Sequence, residues 1–466
     1  MESQAGLHYE RIAVAEAAPQ EIGKGVTQAD LYRAAWASSL GSALEYYDFA
    51  LYNLAAALIF GPLFFPSSDP SLGLIASFGT YFLGFAVRPI GGIAFGVLGD
   101  RLGRKTALMA TVLLMGVAST LIGLLPTYAT AGIWAPILLI SLRLLQGLGA
   151  GAEQAGASVL MAEYAPPQRR GFFSALPFMG IQLGTVAAAL IYFVLLVRID
   201  DVGQSWVWRV PFLLSVVIIA VAVWIRLRLK ESPEFSKLEA RHQVDDKPLA
   251  HLLKHSKRNT LTVIGLRMAE NGASSIYQSL AISYMVAVTK MPGSAGTFAL
   301  MLAGIAGAIT VTLSGLWSDR IGRRPVYRFF ACYQLLLAFP LWWVLSLGNQ
   351  TLSIIAIPVA LISVWGMFGT QAALLPELFG ARHRYIGVAF GREISAVIGG
   401  GVAPLIGASI IAWATATYSS AVSAWVPLAC YVALLSLITI VTTFVMPETR
   451  ARDLDDLRDA GQATGV

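Results

Sequence analysis

The stretch GVLGDRLGRK, Gly96 to Lys105, packs four charges into ten residues between two long apolar runs. It returns as GLWSDRIGRR, Gly315 to Arg324, again between apolar runs. Both strings fit G-x-x-x-D-R-x-G-R-[KR], and their aspartates, Asp100 and Asp319, lie 219 positions apart. A second pair echoes the first. In EYAPPQRRG, Glu163 precedes Arg170 by seven positions, and in ELFGARHRYIG, Glu377 precedes Arg384 by seven. A matched motif at matched topology marks two homologous halves within one chain.

The surroundings of the repeat fix what those halves are made of. The chain has 466 residues, of which 56% are hydrophobic and only 13% charged. Soluble proteins carry about 25% charged residues. Apolar runs of about 20 residues, enough for a hydrocarbon core of about 30 Å, recur along the sequence. Backbone groups in lipid must be satisfied internally, so runs of this length predict helices; a barrel would show short alternating strands. Twelve such runs are expected, Trp36–Phe60 opening the first six and Thr260–Val288 the second. The predicted fold is an all-α membrane protein, twelve transmembrane helices in two pseudo-symmetric six-helix bundles. The expected layout is a tail at 1–30, a first bundle at 31–228, a connector with a short amphipathic helix at 229–258, a second bundle at 259–446 and a tail at 447–466.

Charge placement orients the spans. Lys and Arg crowd the loops after the even-numbered helices, for example Arg101, Arg104 and Lys105, or Arg320, Arg323 and Arg324. The loops after the odd-numbered helices hold only Arg198 and Lys290. The positive-inside rule puts the first set, and both termini, in the cytoplasm of a multi-pass cell-membrane protein. The first 30 residues lack the basic start, apolar core and cleavage site of a signal peptide. The net charge of +6 is therefore a topology signal, and no nucleic-acid partner is expected.

The repeated knots sit where the two bundles meet at the membrane surface. An aspartate there can reach a helix N-terminus or an arginine. Contacts that exist only while the bundle ends are together bias a two-state equilibrium. Asp100, Arg101, Arg104, Asp319, Arg320 and Arg323, with Glu163, Arg170, Glu377 and Arg384, are accordingly read as gating residues. Plain anchoring of the loops is the alternative.

The paired knots resemble the loop signature of the major facilitator superfamily. Further strings resemble its metabolite:proton symporter family: GSALEYYDFALY at Gly41–Tyr52, FAVRPIGGIAFGVLGDRLGRK at Phe85–Lys105, RLLQGLGAGAEQAGASVLMAEYAP at Arg143–Pro166 and WRVPF at Trp208–Phe212. The resemblance covers residues 30 to 447 and leans toward the shikimate-type branch. It implies two bundles rocking about a central site, and carriers for shikimate, 2-oxoglutarate, citrate, proline or betaine. Only about 20 residues follow Met446, too few for the coiled coil of the osmosensing members.

Ionisable residues at membrane depth cost about 2.5–3.5 kcal/mol each on insertion scales and mark function by default. Glu45 and Asp48 lie three apart in the first helix, about 15 Å deep at ~1.5 Å per residue. Two close carboxylates resist ionising together, so one can carry a proton; a structural pair satisfied by Arg88 or Arg143 is the alternative. Arg88 and Arg143 can fork onto a substrate carboxylate or form internal ion pairs. In the seventh helix Arg267 is expected to meet an anion and Glu270 to be a second coupling acid, or the two form a fixed pair. Gln146, Gln154, Asn271, Tyr277 and Gln278 are candidate substrate contacts. Arg392 and Glu393 are only five or six residues into their helix, shallow enough to snorkel, and are read as gating.

The spans contain no histidine, so a proton relay must use carboxylates. No G-x-x-x-x-G-K-[ST] string is present, which excludes a phosphate-cradling loop of that type. Cys332 and Cys430 fall in apolar runs and read as small buried hydrophobes. No metal, cofactor or enzymatic nucleophile set is expected. The functional expectation is a monomeric secondary active transporter that couples proton entry to uptake of a small organic acid. A zwitterion symporter or an efflux carrier stands beside it.

Overall fold

A computed structural model describes residues 28–66, 70–102, 104–151, 153–198, 206–228, 248–381, 384–418 and 420–461. Residues 1–27 of the expected amino-terminal tail, and most of the connector, lie outside the described residues, while Gln28, Ala29 and Asp30 already belong to the first helix. Among the described residues every regular element is a helix.

In the first half the spans are α1 (Gln28–Leu58), α2 (Pro70–Ala86, continued as Arg88–Leu102), α3 (Arg104–Gly123), α4 (Trp134–Ala150, continued as Glu153–Tyr164), α5 (Arg170–Arg198) and α6 (Val210–Leu213, continued as Ser215–Arg228). A short helix, Pro248–His255, leads into the second half. There the spans are α7 (Lys257–Ser275, Ile276–Leu280 and Ala281–Ala287), α8 (Gly293–Ile321), α9 (Arg323–Ser346), α10 (Gln350–Leu378), α11 (Arg384–Ser395, Ala396–Gly401 and Val402–Tyr418) and α12 (Trp425–Val445).

Seven of these, α2, α5 and α8 to α12, are each long and apolar enough to cross a membrane. Among the described residues the apolar stretches of three further spans, Met109–Gly123 of α3, Trp134–Ala150 of α4 and Trp206–Val221 at α6, are shorter. The first helix of each half, α1 and α7, is diluted by charge: Glu45 and Asp48 in one, Arg267 and Glu270 in the other. The polar spans thus occupy equivalent places in the repeat.

The breaks have local causes. Pro89 has no N–H to continue the ladder, so α2 resets at Val87 and places Arg88 at the joint. Both α7 and α11 contain a π-turn, at Ile276–Leu280 and Ala396–Gly401, a feature that often marks functional segments.

The bundles join along α5 and α8, where Gly171 faces Gly315. A Cβ built on Gly315 would stand 2.5 Å from the Gly171 carbonyl oxygen, so only glycine permits this approach. At Gly322 φ is 109°, a conformation that lets the second knot turn sharply between α8 and α9. Across the seam, Phe178 of α5 stacks on Phe368 of α10 at 4.4 Å between centroids.

One expectation is overturned. Cys332 and Cys430 are exposed on the protein surface, not buried. In a membrane protein an apolar run presents one face to lipid, so apolarity of the neighbours does not imply burial.

Candidate functional site

Helical phase decides which side chains meet between the bundles. On α1, Tyr46, Phe49, Ala50 and Asn53 follow a 3-4-7 spacing along one stripe. On α2 the stripe is Tyr81, Phe85 and Arg88, and on α7 it is Arg267, Asn271, Ser274, Ser275 and Gln278. With Thr185 of α5 and Arg392, Glu393 and Ala396 of α11, they enclose a cavity of about 60 Å³. Contacts cross the boundary beside it and beyond it: the Tyr81 hydroxyl lies 3.3 Å from Ser275 Oγ, and Ser283 Oγ donates to the Ala57 carbonyl at 2.9 Å.

Among the described residues three guanidiniums, those of Arg88, Arg267 and Arg392, line the cavity with one carboxylate, Glu393. Arg88 reaches across the bundle boundary to Glu393, with Nε donating at 2.9 Å and Nη2 at 3.4 Å. Arg267 is held within its own bundle. Its Nε donates to Ser395 Oγ at 2.7 Å, Nη1 donates to Gln371 Oε1 at 3.1 Å, and Glu270 stands 3.4 Å away. Asn53 Oδ1, Asn271 Nδ2 and Glu270 Oε2 have no protein hydrogen-bond partner. The site therefore offers forked cations, an amide donor and an amide acceptor to one small polar guest.

Asp48 falls off the α1 stripe. It accepts hydrogen bonds from Ser215 of α6 and Ser119 of α3, inside the first bundle. Ser119 in turn accepts from Gln146 Nε2 at 2.8 Å, and the Gln146 amide oxygen accepts from Arg143. A chain of hydrogen bonds thus joins Asp48 to Arg143. The Arg143 guanidinium lies 3.8 Å from the Tyr52 ring centroid, and its Nε and Nη2 have no hydrogen-bond partner. An aromatic face can hold a cation in this way.

A second charged cluster closes one end of the molecule. Asp319 accepts from the Gly171 and Phe172 amides at 2.7 and 2.9 Å, so it caps the start of α5. Arg323 donates to Asp319 at 2.7 Å and forks onto Glu377 at 3.0 and 3.1 Å. Arg170 donates to Glu377 at 3.1 Å, and Arg384 to Glu163 at 2.8 Å. The two Glu-x6-Arg motifs are therefore crossed: each glutamate pairs with the arginine of the other half.

Residues after α12 reinforce this cluster. Thr449 Oγ1 donates to Glu377 at 2.8 Å, Arg170 donates to the Arg452 carbonyl at 2.9 Å, and Arg384 donates to that of Leu454. Asp459 caps the Gly380 amide at 2.9 Å.

Of the residues singled out from sequence, Arg88, Arg267, Asn271 and Gln278 line the cavity. Arg143, Gln146 and Tyr277 are buried beside it without lining it. The side chains of Glu45, Gln154, Asp100, Arg101 and Arg104 lie outside the described ones, and Arg320 is exposed. Arg392 and Glu393 differ from expectation. They are 2% and 6% exposed and line the cavity, because α11 begins at Arg384 and carries them deeper than a snorkelling position. Sequence reading missed Tyr46, Asn53, Tyr81, Thr185, Ser274 and Ser275. Counting 4, 7, 8 and 11 residues on from Arg267 would have found the last two, with Asn271 and Gln278.

Comparison with known proteins agrees with this architecture. A family model described as Major Facilitator Superfamily matches residues 38–404. The putative transporter YdfJ of Escherichia coli K12 is 36% identical over 419 residues, covering 89% of this chain and 96% of its own. The shikimate transporter of the same organism is 35% identical over 424 residues, covering 90% and 95%. A crystal structure of a D-xylose–proton symporter superposes with a TM-score of 0.70 at 16% identity, covering 90% of this chain and 99% of that one.

Proposed function

The chain belongs to the major facilitator superfamily, a multi-pass membrane transporter and not an enzyme, and on that premise we propose that it is a proton-coupled symporter taking up a small organic acid. One observation carries the substrate class. Among the described residues, three arginines line a cavity between two bundles and one carboxylate lines it with them. A guest that brings a carboxylate matches that surplus of positive charge. Shikimate and di- or tricarboxylates are the leading compounds. The relative named as a shikimate transporter supports the choice.

Roles follow from placement. Arg88 and Arg267 contact the anion, and Asn271 and Gln278 orient the polar remainder. Asp48 is the proton carrier in the first bundle, coupled to Arg143 through Ser119 and Gln146; Glu45 and Glu270 are further coupling acids. The crossed ion pairs form the gate that faces the cytoplasm, together with both termini, as the distribution of Lys and Arg favours. Rocking of the bundles opens one side at a time.

The test is medium pH during substrate addition. De-energised, lightly buffered cells overproducing the protein receive shikimate, 2-oxoglutarate, citrate, acetate, betaine and proline in turn. Alkalinisation with a carboxylate is the expected result. A response to betaine or proline alone moves the reading to a zwitterion symporter, and silence throughout moves it to efflux. Asp48→Asn should reduce accumulation driven by a pH gradient by about tenfold or more while substrate exchange persists. Undiminished accumulation removes Asp48 from the proton path.

A further inference from the structure

Arg267 is held differently from the arginines of the charged cluster at the end of the molecule. There, Arg170 and Arg323 donate to the carboxylate of Glu377. In the cavity wall, Arg267 donates to neutral acceptors on two other helices: Nε to Ser395 Oγ of α11 at 2.7 Å, and Nη1 to Gln371 Oε1 of α10 at 3.1 Å. Glu270, one turn along α7, stands 3.4 Å from the same Nη1, yet its Oε2 has no protein hydrogen-bond partner. Nη1 thus gives its hydrogen bond to an amide although a carboxylate is within reach.

Both acceptors are themselves fixed. Ser395 Oγ donates its own hydrogen to the Arg392 carbonyl at 2.8 Å, so its lone pairs are what it turns to Arg267. A guanidinium only donates, so the Gln371 amide must present Oε1 to it, and Gln371 Nε2 is left buried without a protein hydrogen-bond partner. A buried donor left unsatisfied costs stability, which the bond to Arg267 has to offset. Neither residue is among those that line the cavity, so both act through Arg267. Of the other polar groups around this part of α7, Tyr327 of α9 donates its hydroxyl to the Leu266 carbonyl at 2.9 Å, and Arg392 carries the same charge as Arg267.

We infer that Gln371 and Ser395 are positioning residues that hold Arg267 on the cavity wall independently of Glu270. This rests on the reading that Arg267 binds the guest's carboxylate and that Glu270 can carry a proton. A guanidinium tied to Glu270 by hydrogen bonds would shift whenever that acid gained or lost its proton, and guest and glutamate would compete for one fork. Neutral acceptors offer the same lone pairs in either state. The cradle therefore lets one helix present an anion site and a proton acceptor three positions apart, each able to change occupancy without dragging the other.

Binding of labelled shikimate to the full-length carrier in liposomes tests this, or of the acid of the panel that alkalinises the medium if shikimate does not. Gln371→Leu removes the amide and lets Nη1 turn to Glu270. A hydrogen bond to a charged group is worth about tenfold or more in affinity, so Kd should rise by about that factor. Ser395→Ala should raise Kd in the same direction, and Ser395→Thr, which restores a hydroxyl, should bind the acid more tightly than Ser395→Ala. The decisive variant combines Gln371→Leu with Glu270→Gln. With no carboxylate to capture the guanidinium, Kd should return to within about threefold of the parent value. Lost packing alone would not be repaired by a change at Glu270. Ser395→Ala, combined with Glu270→Gln in the same way, decides the matter if the leucine variants do not fold. A parental Kd in folded Gln371→Leu or Ser395→Ala overturns the inference, as does a raised Kd that Glu270→Gln fails to relieve. A wild-type carrier that binds none of the acids overturns the carboxylate reading instead, and this inference with it.

Discussion

The gate cluster and the central cavity both hold ion pairs that cross the bundle boundary, but they are built in opposite ways. In the gate, charges are shared. Glu377 accepts from Arg170, Arg323 and Thr449, and Arg323 also serves Asp319 and Ser318. In the cavity, Arg88 forks onto Glu393, and other polar atoms, such as Asn53 Oδ1 and Asn271 Nδ2, have no protein hydrogen-bond partner. A network in which each group has several partners opens as a unit or not at all. A site with unpartnered polar atoms has hydrogen bonds left to give a guest. The first arrangement suits a gate, the second a site whose occupant must come and go.

Three substitutions sharpen or break this contrast, each read by alkylation of a reporter thiol. The reporter is Ala175→Cys, at a buried position on the α5–α8 seam, in a chain whose Cys332 and Cys430 are serine. The largest effect is expected for Glu377→Gln. It takes from Arg170 and Arg323 the carboxylate they share, leaving Arg323 with Asp319, and should destabilise the closed gate by about 3–5 kcal/mol. Alkylation from the gate side should then rise steeply; if it does not, the shared network does not hold that end shut.

Gly171→Ala comes next. Its added Cβ would lie 2.5 Å from both Arg323 Nη1 and the Gly315 carbonyl oxygen. Overpacking of this kind costs about 1–3 kcal/mol, so a clear but smaller rise in alkylation is expected. A rate equal to that of the parent would show that the seam is loose. The smallest change is expected for Glu163→Gln. The Glu163 side chain is 35% exposed, and a half-solvated pair is worth less than about 1 kcal/mol. Its alkylation at physiological salt should stay close to the parent rate, and a rise as large as that of Glu377→Gln would mean that the two crossed pairs are equivalent after all.

The charged cluster around Glu377 was legible in the sequence because its parts are local strings that occur twice. Who pairs with whom was not. Arg384 and Glu163 are 221 positions apart, and spacing within one motif says nothing about a partner in the other. The cavity was half legible. Charges such as Arg267 announce themselves in an apolar helix, but Asn53, Ser274 and Thr185 are ordinary residues until the phase of each helix turns them to the cavity. Phase also separates Asp48 from Tyr46: two positions along a helix turn the side chain from the cavity toward Ser215. Nothing in the string TRARDLDDLRDAG pointed to its contacts with the gate, since such a composition reads equally well as solvated tail.

The crossing of the Glu-x6-Arg motifs has a meaning in symmetry. Glu163 meets Arg384 and Arg170 meets Glu377, so position i of one half touches j of the other while j touches i. That exchange is the rule of an isologous two-fold interface between identical subunits. A six-helix ancestor carrying one copy of the motif would have closed on a second copy of itself with these same two pairs. Fusing the copies into one chain kept the interface and freed its two sides to diverge, so that Glu377 could gather Arg323 and Thr449 while Glu163 kept an exposed face.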